Sequence, residues 1–347
     1  MTISSFPDHF DSVEALDEFM SRPSPDVAAA LQKLDGDIMI LGVGGKMGPS
    51  LAMLARRSLD EAGLRKRVIG VSRFSSPQAM ELLNKAGVET ISCDLLNEDA
   101  LSALPDIPNI VYMAGMKFGA TGREALTWAM NTFLPGVVVR KFCRSRMVLF
   151  SSGNVYPLSP VLAGGCTEET PPAPVGEYAQ SVLGRERVFE HFAGQYGVPG
   201  VIFRLNYAVE MRYGVLLDIA TAVWTGEPID LHTGHANVIW QGDANAIALR
   251  CLALAQTPPL VLNVSGPETA SIRYVAQQFS RLLGKEPVFS GVEQPDAFLS
   301  NTTQAQKLFG YPRVPLGQVI EWVAHWVRNG GPTLHKPTKF QVRDGKY

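Results

Sequence analysis

The chain has no pair of cysteines spaced to grip a metal or to form a redox dithiol. Its four, Cys93, Cys143, Cys166 and Cys251, are scattered, and no C-x-x-C occurs. No apolar run reaches the roughly 18 residues of a membrane span, so no membrane partner is expected. A surplus of positive charge is also missing. The 31 Lys and Arg are set against 33 Asp and Glu, mixed along the chain, for a net charge of −2. That leaves no basic stripe for a nucleic-acid partner. The opening MTISSFPDHFDSVEALDEFM is acidic and lacks an apolar stretch flanked by basic residues. It does not read as a secretory signal, and a cytoplasmic location is expected. His232 and His235 form H-x-x-H, but no third ligand stands nearby, so no metal is expected.

What is present is apolar bulk. Of 347 residues, 46% are hydrophobic, enough for one large or two intimate domains. Residues 1–36 read as a helical prefix, with Ser12 placed to cap VEALDEFM and Pro23 and Pro25 as punctuation. Short apolar runs then alternate with amphipathic stretches. The runs are 38–43, 67–72, 88–93, 109–114, 146–151 and 200–205. Continuous β-branched runs separated by helices predict a parallel sheet covered on both faces. The fold expected is therefore α/β: a doubly wound parallel Rossmann sheet over 37–205 with a smaller C-terminal substrate domain over 206–347. Helices are expected near 214–225, 243–256, 270–283 and 316–328. Residues 236–266 are expected to pack back on the first domain, returning a strand near 260–266.

Gly42, Gly45 and Gly48 give G-x-x-G-x-x-G directly after the first strand and at the start of a helix over 49–62. In that setting each glycine has a use. The first permits the tight turn, the second admits a pyrophosphate to the backbone, and the third brings helix and strand together. The backbone around Lys46 and Met47 belongs to the same cradle, where unpaired amides face a phosphate. A dinucleotide cofactor follows. The second strand ends in Ser72-Arg73. NAD binders usually place a carboxylate there for the ribose hydroxyls, whereas an arginine can pair with a 2′-phosphate. NADP is therefore favoured over NAD.

These residues resemble the extended short-chain dehydrogenase/reductase family, the NAD-dependent epimerases and dehydratases, from about 37 to 330. The glycine spacing is that family's form. Asp94 and Leu95 follow the third strand, where the family places an Asp near the adenine. Ala114, Gly115, Met116 and Lys117 are similar to the A-G-L-K of UDP-galactose 4-epimerase. Asn131 falls where the family has an active-site Asn. The most specific piece is Ser151-Ser152-Gly153-Asn154-Val155-Tyr156, which resembles S-S-x-x-V-Y-G, with Ser152 at the substrate-facing position. Tyr178 matches the tyrosine base of Y-x-x-x-K. The resemblance implies catalysis by Ser152, Tyr178 and Asn131, and cofactor contacts from the glycine turn, Ser72, Arg73, Asp94, Leu95, Ala114, Gly115 and Lys117. It also implies a homodimer, because helices over 120–143 and 176–196 match those that pair across a two-fold axis in the family.

One departure outweighs the agreements. Four residues after Tyr178 stands Val182, not lysine. A tyrosine with a pKa near 10 needs a nearby positive charge to exchange a proton at neutral pH. Valine cannot supply it, and Lys117 is a candidate stand-in. Arg185, Glu186 and Arg187 read as a solvated helix face. Arg204-Leu205-Asn206-Tyr207 resembles a segment lining the family's substrate cleft, and Asp243 a structural aspartate at the domain junction. HANVIWQGD lacks the Arg that many nucleotide-sugar epimerases carry there, which argues against a UDP-sugar and for a small hydroxy or keto compound such as a free sugar or sugar acid. Two classes of function stay open: an NAD(P)-dependent oxidoreductase or epimerase, and a cofactor-binding sensor or interaction protein that has lost catalysis. A weaker third is reduction through a relayed water.

Overall fold

The computed structural model describes residues 6–75, 77–117 and 121–346. Seven strands form one parallel sheet: β1 (Ile38–Leu41), β2 (Val68–Ser72), β3 (Glu89–Ser92), β4 (Asn109–Tyr112), β5 (Arg146–Ser152), β6 (Gly200–Leu205) and β7 (Leu260–Val264). Their order across the sheet is β3-β2-β1-β4-β5-β6-β7. The expected runs all become strands: 200–205 is unchanged, 146–151 gains Ser152, and the other four lose one or two residues. β1 stops at Leu41 because Gly42 turns to φ +90°, outside any strand. The last strand comes from far along the chain and pairs in parallel with β6, Leu260 opposite Val201.

Alternate residues of the strands enter two different cores, as a doubly covered sheet demands. Ile38, Ile40, Val111, Val148 and Phe203 face one cluster with Leu51 and Leu54 of α3 (Gly48–Glu61). Met39, Leu41, Ile110, Leu149 and Ile202 face another with Leu134 and Val138. The latter two lie on a helix that follows an unusual segment. Helices α4 (Pro77–Lys85) and α5 (Glu98–Ser102) come first, and the helix expected over 120–143 is in fact α6 (Glu124–Trp128), a π-helical turn over Ala129–Phe133, and α7 (Leu134–Lys141). Pro135 has no amide to offer Asn131 O four residues back, and a widened turn accommodates it.

A third core holds the C-terminal region. The helices Val215–Thr225, Ile272–Leu283 and Leu316–Arg328 meet there around Trp240 and Trp322. The prefix contributes to both sides. Helix α1 (Val13–Met20), capped by Ser12 as expected, buries Leu16 and Met20 in this third core. Helix α2 (Pro25–Gln32) buries Val27 and Leu31 in the first. Among the described residues no helix is long and apolar enough to cross a membrane.

Candidate active site

Strand order reverses between β1 and β4, and in open α/β sheets the crevice at such a point takes the ligand. Here the turn after β1 and the loop after β4 touch backbone to backbone. A Cβ on Gly42 would stand 2.6 Å from Ala114 N. A Cβ on Gly48 would strike Val43 O, so only glycine lets α3 start this close to the strand. Gly45 differs: its nearest neighbour would be Gly42 O at 3.4 Å, which leaves its outer side open. Helix α3 starts with no side-chain cap and no acidic residue in its first turn. Its first amides therefore suit an anion. This cradle fits the pyrophosphate of a dinucleotide.

The other expected cofactor residues border the same edge. Ser72 ends β2 with its Oγ lying against Gly44, and Arg73 is exposed beyond it. Asp94 is exposed and accepts a bond from Leu96 N at 3.1 Å, while Leu95 is buried. Met47 and Ala114 are buried at the base of the crevice.

A cavity of about 140 Å³ adjoins the glycine turn, lined among others by Lys46, Lys117, Ser152, Tyr178, Tyr207 and Tyr213. Ser152 stands at the end of β5, and its Oγ contacts Asn154 Oδ1 at 3.0 Å. Tyr178, on the first turn of α8 (Gly176–Tyr196), lines the same cavity as Ser152. Burial raises the Tyr178 pKa, while the Arg185 charge and the polar Ser152 side chain pull against that rise. Lys117 lies 5.5 Å from the centre of the Tyr178 ring, and burial pushes its pKa down to about 8. Lys46 reaches across the crevice to Ala208 O at 2.9 Å and sits 3.8 Å over the Tyr213 ring. Burial pushes its pKa down to about 7, with Glu210 opposing. Tyr207 holds φ +43°, a sparsely populated conformation for a non-glycine residue.

Asn131 is fully buried and outside this cavity's lining. Its Oδ1 accepts from Met116 N at 2.8 Å and from Arg185 Nη2 at 2.8 Å, and its Nδ2 donates to Met116 O and Ser181 Oγ. It pins the loop after β4 to α8. Val182 is 1% exposed and packs with Val155, Tyr156 and Cys166.

The expected solvated face on α8 is a correction. Only Arg187 is surface-exposed, paired with Glu190. Arg185 is buried, and Glu186 is completely buried in a fork-to-fork pair with Arg204, at 2.9 and 2.6 Å. Glu186 also accepts from Ser151 Oγ, and Arg204 donates to the Tyr156 hydroxyl at 2.6 Å. Thus Arg204 braces the floor beneath the site. Asn206 borders the cavity but bonds Asn237 Oδ1 at 2.8 Å. Asp243 accepts from Val314 N at 2.9 Å, a structural bond across the junction. His232 contacts Asp230 at 2.6 Å, and among the described residues no three His, Cys, Asp or Glu side chains converge as a metal site. Sequence reading passed over Tyr213 and Thr338 as cavity residues. Neither sits in a recognisable motif, and Thr338 arrives from the C-terminal tail, tied to Asp218 by its backbone N at 2.8 Å.

The model of the NAD dependent epimerase/dehydratase family matches residues 38–209. No curated protein matches the chain. Solved structures do, at low identity. UDP-glucose 4-epimerase from Thermotoga maritima, with UDP-glucose, is 18% identical over 85% of this chain and 99% of that one, with TM-score 0.68. UDP-glucuronic acid 4-epimerase from Bacillus cereus, with UDP-glucuronic acid and NAD, is 18% identical over 84% and 99%, with TM-score 0.68. MoeE5, with UDP-glucuronic acid and NAD, is 19% identical over 85% and 100%, with TM-score 0.67. These likenesses share the fold: a parallel Rossmann sheet flanked by helices. Residues 38–209, with the glycine turn, the serine at the end of β5 and the tyrosine of α8 in place, belong to the NAD-dependent epimerase/dehydratase family.

Proposed function

We propose that this protein is a nicotinamide-dependent epimerase or oxidoreductase acting on a small hydroxy or keto compound, a sugar or sugar acid. The observation that carries this reading is that Ser152 and Tyr178 line one cavity beside the glycine turn. Two hydroxyls in one cavity can both bond one substrate oxygen. Ser152 orients the substrate hydroxyl or carbonyl. Tyr178 takes the hydroxyl proton when the carbon is oxidised and returns it when the carbonyl is reduced. When bound, the nicotinamide accepts or returns the hydride. Asn131 acts indirectly, by holding the loop that carries Lys117.

The glycine turn, Lys46, Met47, Ala114, Gly115 and Lys117 would hold the pyrophosphate and nicotinamide half of the cofactor. Ser72, Arg73, Asp94 and Leu95 would hold the adenosine half. Arg73 and the missing carboxylate after β2 favour NADP over NAD. The cavity of about 140 Å³, narrowed by Thr338, favours a substrate without a nucleotide, as does the lack of Arg in HANVIWQGD. A homodimer through the helices around 124–141 and 176–196 is supported by exposed apolar residues there. Trp128, Phe133 and Tyr196 are 37%, 55% and 40% exposed.

The test is turnover of sugars and sugar acids, followed by reduced-nicotinamide absorbance, in wild type and Tyr178→Phe. Wild-type turnover lost in Tyr178→Phe is expected. Activity untouched by that substitution would rule out the tyrosine as acid or base. Tight cofactor binding with no turnover on any substrate would favour the sensor reading, which rests on Val182.

A further inference from the structure

Helix α8 replaces the missing lysine with an arginine one turn further on. We infer that Arg185 supplies the positive charge that sets the protonation of Tyr178, acting as a positioning residue through that tyrosine. The inference rests on the proposed role of Tyr178.

Arg185 follows Tyr178 by seven residues, two turns, and so lies on the same helix face. Long helical side chains lean toward the helix N-terminus. The guanidinium is thereby carried back toward the turn where residue 182 stands. Val182 itself is closed off among Val155, Tyr156 and Cys166. The head of Arg185 lies under the loop after β4, where a Cβ on Gly115 would collide with Nη2.

Its bonds explain why the charge is available. Nε donates to Asn131 O at 3.2 Å, the carbonyl for which Pro135 has no amide. Nη2 donates to Asn131 Oδ1 at 2.8 Å and Nη1 to Phe150 O at 2.7 Å. All three acceptors are neutral. The adjacent carboxylate, Glu186, belongs to Arg204. Among the described residues Arg185 forms no ion pair, so its charge is not cancelled locally and its field extends through a poorly screened interior.

Other groups also face Tyr178. Ser152 shares its cavity, Lys117 stands by its ring, and Tyr213 adjoins it with Lys46 beyond. Glu210 and Arg212 stand behind Lys46 and largely answer one another, at 3.2 Å. Neither lysine serves as a fixed charge, because burial lowers both into the working pH range. A guanidinium keeps its proton throughout. The π-helical turn, Pro135 and Arg185 then form one device: a proline frees a carbonyl, and the carbonyl seats the cation.

The experiment is titration of tyrosine by carbon NMR on full-length protein labelled at tyrosine Cζ, which needs no substrate. The Tyr178 signal is identified by its loss in Tyr178→Phe. In Arg185→Gln its titration should move up by about one pH unit or more, and in Arg185→Lys it should stay within about half a unit of wild type. Thermal melting establishes that each variant is folded. A folded Arg185→Gln with unmoved titration overturns the inference. So does a folded Arg185→Lys shifted up as far as a neutral residue would shift it, which keeps the test open should the glutamine variant fail to fold. A larger upward shift in Lys117→Met than in Arg185→Gln would transfer the role to Lys117. Loss of turnover in wild type would count against the enzyme reading alone and leave this titration as it stands.

Discussion

A carboxylate at Glu186 answers the buried guanidinium of Arg204, and alanine at 186 leaves that guanidinium stranded. Breaking one side of a buried pair costs about 3–5 kcal/mol. Glu186→Ala should therefore lower the unfolding free energy by that order, read from the denaturant midpoint. A loss under about 1 kcal/mol, ordinary for surface pairs, would mean that the pair is solvated. Arg73 makes the opposite case, an exposed residue whose effect should be confined to the ligand. Arg73→Ala should weaken NADP(H) roughly tenfold more than NAD(H), since charge-assisted bonds to the 2′-phosphate contribute about 1.5–3 kcal/mol. Equal weakening in calorimetry would remove the preference for NADP. Residues tied to a backbone requirement were readable in advance. Gly42 and Gly48 announce themselves because no side chain fits there. The Arg-Glu-Arg run at 185–187 could not be read from composition. Which charge turns inward depends on what the sheet presents to α8, and Arg204 lies far along the chain.

The prefix helices tie the two halves of the molecule together. Asp17 of α1 pairs with Arg212 at 2.8 Å, and Arg212 also bonds Glu210, in the segment that carries Tyr207 and Tyr213 into the cavity. Asp17→Ala should leave the protein folded, since Glu210 still holds Arg212, while loosening that segment. The expected result is a KM raised several-fold with kcat changed less, and a stability loss of about 1 kcal/mol. Unaltered KM would show that α1 supports the core only. The strands were legible because their β-branched runs must fill both faces. The role of the prefix was not, because Leu16 and Val27 could have served any apolar surface. Pro135 hinted at a break in the helix over 120–143, but a π-helical turn needs the acceptor geometry around Asn131, which spacing alone does not reveal.

At the scale of the whole molecule, the crevice between the sheet and the 207–213 segment gathers two lysines whose charge is held back. Lys46 is lowered to about 7 and Lys117 to about 8. The sign of the linkage follows. Above those values the unfolded chain binds more protons than the native one, so these lysines add stability as pH rises from about 7 toward their ordinary range. The pyrophosphate of a bound dinucleotide carries two negative charges, and an anion beside a lysine favours its charged form. Binding near pH 8 should therefore draw protons from solution, roughly one per cofactor if the two lysines respond together. Calorimetry in two buffers of different ionisation enthalpy measures that number. Lys46→Met and Lys117→Met should each reduce it, and the uptake should fade below pH 6, where both lysines are already charged. Binding with no proton uptake at pH 8 would mean that neither lysine faces the phosphates. They would then belong to the substrate side of the cavity, and uptake should appear instead when an acidic substrate is titrated into the cofactor-loaded protein.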